Sequence, residues 1–260
     1  EQDKLNLQDL LKEKNAKKVA VVGGGFIGVE VAENLTEAGY EVSMVEALPQ
    51  ILKTYDYDMV QILQKEMMDK GVNLIVGDQV VEFKGSDMLL KSGKTVEAEA
   101  VVMAAGVRPD SKLAREAGLE LNARGAIKVD ANYCTDDPDI YAVGDAIEVF
   151  HALIHKPTML PLAGPAQKQA RAAADHIYGM PVRNTGYIGS SCIKVFDYNA
   201  ASTGLTAAQC EAEGISYDIV YVIPQDKVGL MPGSCPLHYK LVYEVPTGKV
   251  LGAQVISKGD

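Results

Sequence analysis

The chain has 260 residues, 47% of them hydrophobic and 23% charged, which is ordinary for a soluble globular protein with room for two compact domains. The formal charge of −10, from 25 basic and 35 acidic residues, argues against a nucleic-acid-binding surface. The longest apolar stretch, Ala100 to Val107, is too short to cross a bilayer, and the first residues lack the apolar segment of a signal peptide, so we expect a cytoplasmic protein without membrane contact.

The first 76 residues predict alternating helices and strands. Apolar residues recur at helical spacing from Phe26, where Val31, Leu35 and Ala38 share one face, and Gly39 follows where a helix often ends. The predicted elements are a helix over 5–13 on a charged linker, a strand over 19–22, a helix over 26–38, a strand over 41–46, a helix over 58–70 and a strand over 72–76. This βαβαβ order predicts a parallel sheet with right-handed crossovers.

The remaining residues predict three further regions. An antiparallel meander is expected first, followed by a buried strand over 100–104. The next region has too few strands to close a sheet alone, and the last one is rich in strands. The meander strands are 80–84, 87–90 and 94–96; the middle region has strands over 127–129 and 140–143 and a helix from Pro165 to Tyr178; the last region has strands over 192–196, 200–205, 217–223, 237–243 and 250–256 and a helix over 206–213.

A glycine-rich corner after the first strand predicts a dinucleotide site. Gly23, Gly25 and Gly28 form the pattern Gly-x-Gly-x-x-Gly between a strand and a helix, and Glu46 ends the next strand, 21 residues after Gly25. Gly23 permits the tight turn, Gly25 lets the backbone approach a pyrophosphate, and Gly28 lets the helix pack close to the strand. A purely structural corner is the alternative. The carboxylate of Glu46 favours NAD over NADP, although cations from elsewhere in the fold could still accommodate a 2′-phosphate.

Other chemistry is weakly supported. His151 and His155 have the spacing of a metal pair on a helix, but Pro157 follows and no third ligand is near, so we predict a structural role and no metal site. The four cysteines, at positions 134, 192, 210 and 235, form no close pair, and we interpret them as isolated thiols without a catalytic role.

Three motifs carry a resemblance to a known family. Residues 21–30 (VVGGGFIGVE) resemble the NAD-binding glycine motif of the two-dinucleotide flavoprotein disulfide reductases. Residues 104–109 (AAGVRP) are similar to that family's motif at the end of the NAD domain, and residues 140–145 (IYAVGD) to its second FAD motif. Residues 161–166 and 194–197 look most like the coenzyme A-disulfide reductase and NADH oxidase branch.

The resemblance implies cofactors and site residues. FAD and NAD(P)H, with NADH favoured, are the expected cofactors. In the family the counterpart of Asp145 binds a ribityl hydroxyl of the flavin, that of Gly144 lets the backbone come close, and a helix starting like the one after Gly164 points its N-terminus at the flavin. Glu30 would lie near the nicotinamide, with an ordinary surface carboxylate as the alternative. The full set of expected cofactor-binding residues is Gly23, Gly25, Phe26, Ile27, Gly28, Glu30, Glu46, Gly106, Gly144, Asp145, Ala163 and Gly164.

The predicted fold class is α/β: a Rossmann-like NAD domain of parallel sheet plus antiparallel meander, a partial FAD domain, and the start of an α+β dimerisation domain. The expected boundaries are a linker helix over 1–16, the NAD domain over 17–125, the FAD part over 126–186 and the dimerisation part over 187–260. No initial glycine motif or redox cysteine of the family precedes the first strand, so we expect a chain truncated at both ends.

The expected function is hydride transfer from NAD(P)H through FAD to a small-molecule disulfide, such as coenzyme A disulfide or a polysulfide, or to oxygen. In full length the protein would be a homodimer. The alternative is an NAD(H)-binding module without catalytic activity.

Overall fold

A computed structural model describes residues 2–259; Glu1 and Asp260, which bound the first and last predicted segments, lie outside the described residues. The helices are α1 (Gln2–Glu13), α2 (Phe26–Glu37), α3 (Tyr57–Asp69), α4 (Lys112–Glu116), α5 (Ala163–Ile177) and α6 (Ala207–Glu213). The strands are β1 (Lys18–Val22), β2 (Glu41–Glu46), β3 (Asn73–Val76), β4 (Val80–Lys84), β5 (Asp87–Leu90), β6 (Thr95–Glu97), β7 (Ala100–Met103), β8 (Val149–His151), β9 (Lys156–Thr158), β10 (Ser190–Val195), β11 (Tyr198–Gly204), β12 (Tyr217–Val222), β13 (Leu237–Glu244) and β14 (Val250–Ser257). Within the described range, no helix is long and apolar enough to cross a membrane.

The chain divides into two compact units. The first unit combines the N-terminal part as far as Gly106 with residues 192–202 and the part from Thr206 onward. The second unit comprises residues 107–191 and 203–205. The predicted domain boundaries stay a prediction.

A four-stranded parallel sheet of order β3-β2-β1-β7 forms the centre of the first unit, as the βαβαβ pattern predicts. Successive side chains of a strand point to opposite faces. Val19 and Val21 therefore join the apolar core that contains residues of α2 and α3, whereas Ala20 packs with Met88 and Leu90 of the meander. The meander itself, β4-β5-β6, is antiparallel, as predicted. The carboxyl ends of β1, β2 and β7 consequently come out at one edge.

The C-terminal region forms a five-stranded sheet of order β10-β11-β14-β13-β12, in which β12, β13 and β14 are antiparallel. Helix α6 begins after Thr206, whose hydroxyl accepts a hydrogen bond from the Gln209 backbone N–H at 3.1 Å. The Gln209 side chain in turn accepts from the Thr206 backbone N–H at 2.9 Å, which completes a capping box.

The second unit departs from the predicted strands. Residues 127–129 and 140–143 are not strands, because Ile127 and Tyr141 make only isolated bridges, to Leu121, Ile147 and Cys134. A hairpin of β8 and β9 and the short helix α4 were not predicted from the sequence. Helix α5 starts at Ala163, two residues before Pro165. The unit is held together by a small core that includes Ile127, Tyr133, Ile147 and Ala173.

Candidate functional site

The glycine corner after β1 is tightly packed where a strand must meet a helix. Gly23 has φ +112°, and a Cβ there would lie 2.4 Å from the carbonyl oxygen of Ala104. At Gly28, inside the first turn of α2, a Cβ would lie 1.9 Å from the carbonyl oxygen of Gly23. Neither contact is sterically possible, so both positions require glycine for α2 to lie directly against the end of β1.

Gly25 differs from these two glycines, because a Cβ at this position would meet nothing within 4 Å. The residue is exposed and caps α2 without a side-chain hydrogen bond to the helix. The first backbone N–H groups of a helix have no partner within the helix, and they carry its partial positive charge. The structure therefore leaves an open space directly in front of the positive end of α2, as a bound pyrophosphate requires.

The Glu46 carboxylate is fixed next to this corner by two backbone groups. Its Oε2 atom accepts a hydrogen bond from the Gly24 N–H at 2.6 Å, and its Oε1 atom accepts from the Leu48 N–H at 2.7 Å. Gly24 is buried, and a Cβ there would lie 2.7 Å from Ile51 Cγ2 and 3.2 Å from Glu46 Cβ. The sequence pattern does not single out Gly24; its need for glycine follows from the Ile51 and Glu46 side chains packed against it.

These groups line one cavity of about 420 Å³ at the carboxyl ends of β1, β2, β3 and β7. Of the predicted site residues, Gly23, Gly25, Glu46 and Gly106 line it. The other residues that line the cavity were not predicted as site residues; they are Gly24, Ala47, Leu48, Gln50, Leu52, Lys53, Asp78, Gln79, Val80, Phe83, Met103, Ala104 and Ala105, together with the strand residues Val22 and Val45. Only the folded sheet brings these segments together, since each follows a different strand.

A larger cavity, of about 700 Å³, lies at the other end of the same strands. It is lined by Lys18, Glu41 and Asn73, the first residues of β1, β2 and β3, and by β6. Parallel sheets bind ligands outside the carboxyl ends of their strands, where helix N-termini point. The smaller cavity is therefore the candidate nucleotide site.

The four predicted residues of α2, which are Gly28, Phe26, Ile27 and Glu30, do not line the cavity. Phe26 is half-buried and packs against the apolar core, whereas Ile27 is exposed. Glu30 is also exposed, and its backbone carbonyl accepts from the Asn34 side chain at 2.7 Å. The structure does not decide between a nicotinamide-facing and an ordinary surface role for Glu30.

The second unit brings Gly144 and Asp145 next to the start of α5. They begin a single 3-10 turn, Gly144–Ala146, in which Gly144 has φ +81° and a Cβ there would lie 3.8 Å from Ala166 Cβ. The Gly144 N–H donates to Oε1 of the buried Gln169 at 2.7 Å, which fixes the turn against α5. The Asp145 side chain is exposed.

The first turn of α5 is likewise open. Ala163 and Gly164 are exposed, a Cβ on Gly164 would meet nothing within 4 Å, and no side chain caps the helix at Leu162. A carboxylate and a free helix N-terminus thus lie close together, which fits a ligand with hydroxyl donors and a group that gains negative charge.

The remaining candidates are the two histidines and the four cysteines. His151 lies in β8, and His155, with φ +54°, lies in the turn that follows. Across residues 2–259, no group of three or more His, Cys, Asp or Glu side chains is arranged to hold a metal ion. All four cysteines are free thiols, and burial raises the pKa of the Cys210 thiol, which opposes a role as nucleophile.

Comparison with protein families gives two matches that together span most of the chain. The model described as "Pyridine nucleotide-disulphide oxidoreductase" matches residues 2–170. A second model, described as "Pyridine nucleotide-disulphide oxidoreductase, dimerisation domain", matches residues 190–260. The first match alone covers more than half of the 260 residues.

Curated relatives include an NADH oxidase and a coenzyme A disulfide reductase. The NADH oxidase of Enterococcus faecalis is 31% identical over 255 residues, which cover 96% of this chain and 57% of the relative. The coenzyme A disulfide reductase of Staphylococcus epidermidis is 29% identical over 258 residues, covering 99% of this chain and 58% of the relative. The chain therefore spans less than two thirds of the length of these relatives.

Solved structures agree with the fold. The reduced CoADR-RHD of Bacillus anthracis matches with a TM-score of 0.95 and 39% identity, over 99% of this chain and 47% of that one. An engineered water-forming NADPH oxidase, bound to NADPH, matches with a TM-score of 0.89 and 27% identity, over 97% of this chain and 57% of that one. The predicted α/β fold class is thereby confirmed, and relatives named for the predicted branch are among the matches.

Proposed function

The chain belongs to the pyridine nucleotide-disulphide oxidoreductase family, and on this premise we propose that it is the nucleotide-binding part of a flavoprotein oxidoreductase. The whole protein would pass hydride from NAD(P)H through FAD to a small-molecule disulfide or to oxygen. Relatives named for each kind of acceptor, a coenzyme A disulfide reductase and an NADH oxidase, support both possibilities.

The observation that carries the proposal is the open front of α2 beside the fixed carboxylate of Glu46. In this role Gly23 and Gly28 keep α2 against β1, and the space at Gly25 admits the pyrophosphate to the helix N-terminus. The Glu46 oxygens keep lone pairs after accepting from Gly24 and Leu48, and these pairs can accept from ribose hydroxyls. The protein's contribution is placement of the dinucleotide.

The second unit fits the flavin. Bound FAD would supply the hydride acceptor and the two-electron chemistry. Asp145 would accept hydrogen bonds from the ribityl chain, Gly144 would allow close approach of the backbone, and the α5 N-terminus at Ala163 and Gly164 would stabilise negative charge on the ring. Gln169, which was not predicted, would position this turn through its hydrogen bond to Gly144.

The preference for NADH over NADPH rests on Glu46, whose charge would repel a 2′-phosphate. A family relative supports this assignment. The engineered NADPH oxidase carries five substitutions. The first replaces a glycine by alanine, and the other four lie 18, 19, 20 and 25 residues after it; the one at 18 residues replaces an aspartate by alanine. Gly28 is followed at the same intervals by Glu46, Ala47, Leu48 and Lys53.

A homodimer is proposed for the whole protein on the strength of the dimerisation-domain match. Strand β12 lies at the edge of its sheet, and its apolar side chains Ile219, Val220, Tyr221 and Val222 are 40–44% exposed. A contiguous exposed apolar strand at a sheet edge is typical of a surface that a second subunit covers. The cytoplasmic location stays a prediction.

The test is a titration of the purified chain with NADH, followed by calorimetry, together with the Gly25→Ala variant. We expect saturable binding that the variant loses, because the added methyl group occupies the space in front of α2. In parallel, flavin bound to the purified chain would be detected by its visible absorbance, and NADH would bleach it. A folded chain that binds no NADH would refute the proposal, and NADH binding without flavin would favour the non-catalytic binding module.

A further inference from the structure

We propose that Asp56 and Gln254 are positioning residues for the dinucleotide, because together they hold one wall of the nucleotide cavity against the C-terminal sheet. The inference deepens the proposed function and rests on it. It means that the affinity for NADH depends on a side chain of β14, 198 positions away from Asp56 in the sequence. The C-terminal sheet then takes part in nucleotide binding, in addition to the proposed subunit contact.

Five of the residues that line the cavity lie in the loop between β2 and α3; they are Ala47, Leu48, Gln50, Leu52 and Lys53. The near part of this loop is tied to the glycine corner. The Leu48 N–H donates to Glu46 Oε1 at 2.7 Å, and the Leu52 N–H donates to the carbonyl oxygen of Gly24 at 2.8 Å. The Tyr55 N–H in turn donates to the Leu52 carbonyl at 2.9 Å. The position of this wall therefore also depends on what holds the far end of the loop.

The far end is held by Gln254 of β14. The Asp56 N–H donates to Gln254 Oε1 at 2.7 Å, and Gln254 Nε2 donates to Asp56 Oδ2 at 2.7 Å. One amide side chain thus bonds both the backbone and the carboxylate of Asp56. Gln254 is 2% exposed and Asp56 is 5% exposed, so a lost bond leaves a buried polar group without a partner.

The Asp56 carboxylate points away from its own helix. Asp56 is the N-cap residue of α3, where an aspartate side chain usually accepts a hydrogen bond from the first turn, but it makes no such bond. Instead, its Oδ2 and Oδ1 atoms accept from the N–H groups of Ala207 at 3.2 Å and Ala208 at 3.3 Å, at the start of α6. Lys240 Nζ of β13 lies 3.1 Å from Oδ2. The end of the loop is therefore bonded to three elements of the C-terminal region, α6, β13 and β14.

Two anchors on one loop make the effect reciprocal. Bound NADH would restrain the loop from the cavity side, whereas Gln254 restrains it from the side of the sheet. A loop that is already ordered has less conformational freedom to lose on binding. If the bonds between Asp56 and Gln254 tighten NADH binding in this way, bound NADH must oppose the opening of those bonds by the same factor.

The first measurement is the dissociation constant of NADH for the full chain and two variants. Gln254→Met keeps a side chain of similar length and removes both bonds to Asp56. Leu251→Ala is the matched control: Leu251 is 3% exposed on the same strand, but it is not among the buried residues of the apolar core that contains Leu52 and Tyr55. Urea denaturation gives the stability of each variant, so that affinities are compared where all chains are folded.

The second measurement needs no variant. Hydrogen exchange of single backbone amides is followed in the parent chain with and without saturating NADH. The amides of Asp56 and Ala207 report on the proposed link. The reference is the Glu244 amide, which donates to the Lys249 carbonyl at 2.8 Å in the turn after β13.

We expect Gln254→Met to weaken NADH binding about fivefold and Leu251→Ala to leave it within about twofold of the parent. NADH should slow exchange at Asp56 and Ala207 at least about threefold more than at Glu244. The proposal is overturned if Gln254→Met weakens binding no more than Leu251→Ala does. Equal slowing of all three amides also overturns it, even if the Gln254→Met chain does not fold. A folded parent chain that binds no NADH would instead refute the proposed function, and this positioning role with it.

Discussion

The Glu46 carboxylate and the Gly24 backbone N–H are joined by a hydrogen bond of 2.6 Å that ties the end of β2 to the glycine corner after β1. Together with the bond from the Leu48 N–H, it fixes the orientation of the carboxylate relative to the glycine corner. Preorganisation of this kind removes an ordering cost from binding. It also makes the corner one connected unit, because Leu52 of the next loop donates to the carbonyl of the same Gly24.

Two glycines of the corner should respond differently to alanine. Gly25→Ala places its Cβ in open space at an ordinary φ of −76°, so the free energy of unfolding should fall by no more than about 1 kcal/mol, the cost of alanine at a helix cap. NADH affinity should nevertheless fall at least about tenfold, because the methyl group lies where the pyrophosphate must approach. Calorimetric titration and urea denaturation measure the two quantities.

Gly28→Ala is the matched comparison. Its Cβ would meet the Gly23 carbonyl at 1.9 Å, so α2 must shift, and we expect a loss of about 2–3 kcal/mol in stability together with the loss of binding. If Gly25→Ala destabilised the fold as much as Gly28→Ala, or left NADH binding intact, the assignment of Gly25 to the ligand would be wrong.

Glu33 predicts a pH dependence of stability. Desolvation by burial raises the pKa of this carboxyl, and the hydrogen bond from the Phe196 N–H at 2.9 Å only partly opposes the shift. A carboxyl with a raised pKa in the folded state loses stability as pH rises from its ordinary value of about 4.3 through the raised value. Glu33→Gln should therefore raise the melting temperature at pH 7, where the folded protein must otherwise keep a desolvated carboxylate.

Melts between pH 3.5 and pH 7, roughly the range that spans the ordinary carboxyl pKa, test this. The gain from Glu33→Gln should shrink towards the acid end, where both states bind the proton. Glu13→Gln on the exposed side of α1 serves as the control and should show no such trend. A gain independent of pH would contradict the ionisation mechanism.

The sequence was informative where periodicity is strong and local. The bounds of β2 agree with the predicted strand 41–46, and helix α6, Ala207–Glu213, agrees with the predicted helix 206–213. The predicted strands over 127–129 and 140–143 in the second unit were wrong. A strand needs continuous pairing with a neighbouring strand, and Ile127 and Tyr141 make only isolated bridges. The hairpin over 149–158 has Pro157 in its second strand, which hides the strand signal.

For a similar reason, only part of the candidate site could be predicted from the sequence. A glycine pattern and the spacing to Glu46 are local features that one sequence shows directly. Gly24, Lys53 and Gln169 belong to the sites through contacts across the fold: a Cβ clash with Ile51, a turn tied to the glycine corner, and a hydrogen bond to Gly144. Nothing in the spacing of these residues indicates such contacts, so only the folded structure identifies them.

A buried ion cluster in the first unit should be important for stability. Lys240 Nζ lies 2.9 Å from both carboxylate oxygens of Asp58 and 3.1 Å from Asp56 Oδ2, and Lys240 and Asp56 are 4% and 5% exposed. Lys240→Met leaves the Asp56 charge buried, with Gln254 still donating to it at 2.7 Å. We expect a loss of about 3 kcal/mol in the free energy of unfolding, the lower end for a broken buried pair.

Urea denaturation of three variants tests this expectation. Lys65→Met removes an exposed ion pair with Asp69 and should cost less than about 1 kcal/mol. The double variant Asp56→Asn with Lys240→Met should recover part of the loss, since the uncompensated charge is gone. Equal effects of Lys240→Met and Lys65→Met would show that the buried cluster contributes no more than a surface pair.

The exposed apolar strand β12 gives a prediction about assembly. Val220 is 43% exposed at the edge of the five-stranded sheet, so Val220→Glu should leave the monomer as stable as before. In a dimer that covers this strand, the same change buries an unpaired carboxylate, and dimer affinity should fall at least about a hundredfold. Sedimentation equilibrium measures it, with Leu113→Glu, at a residue that is 80% exposed in the second unit, as the control for added charge. Dimerisation that responds equally to both changes would place the subunit contact elsewhere.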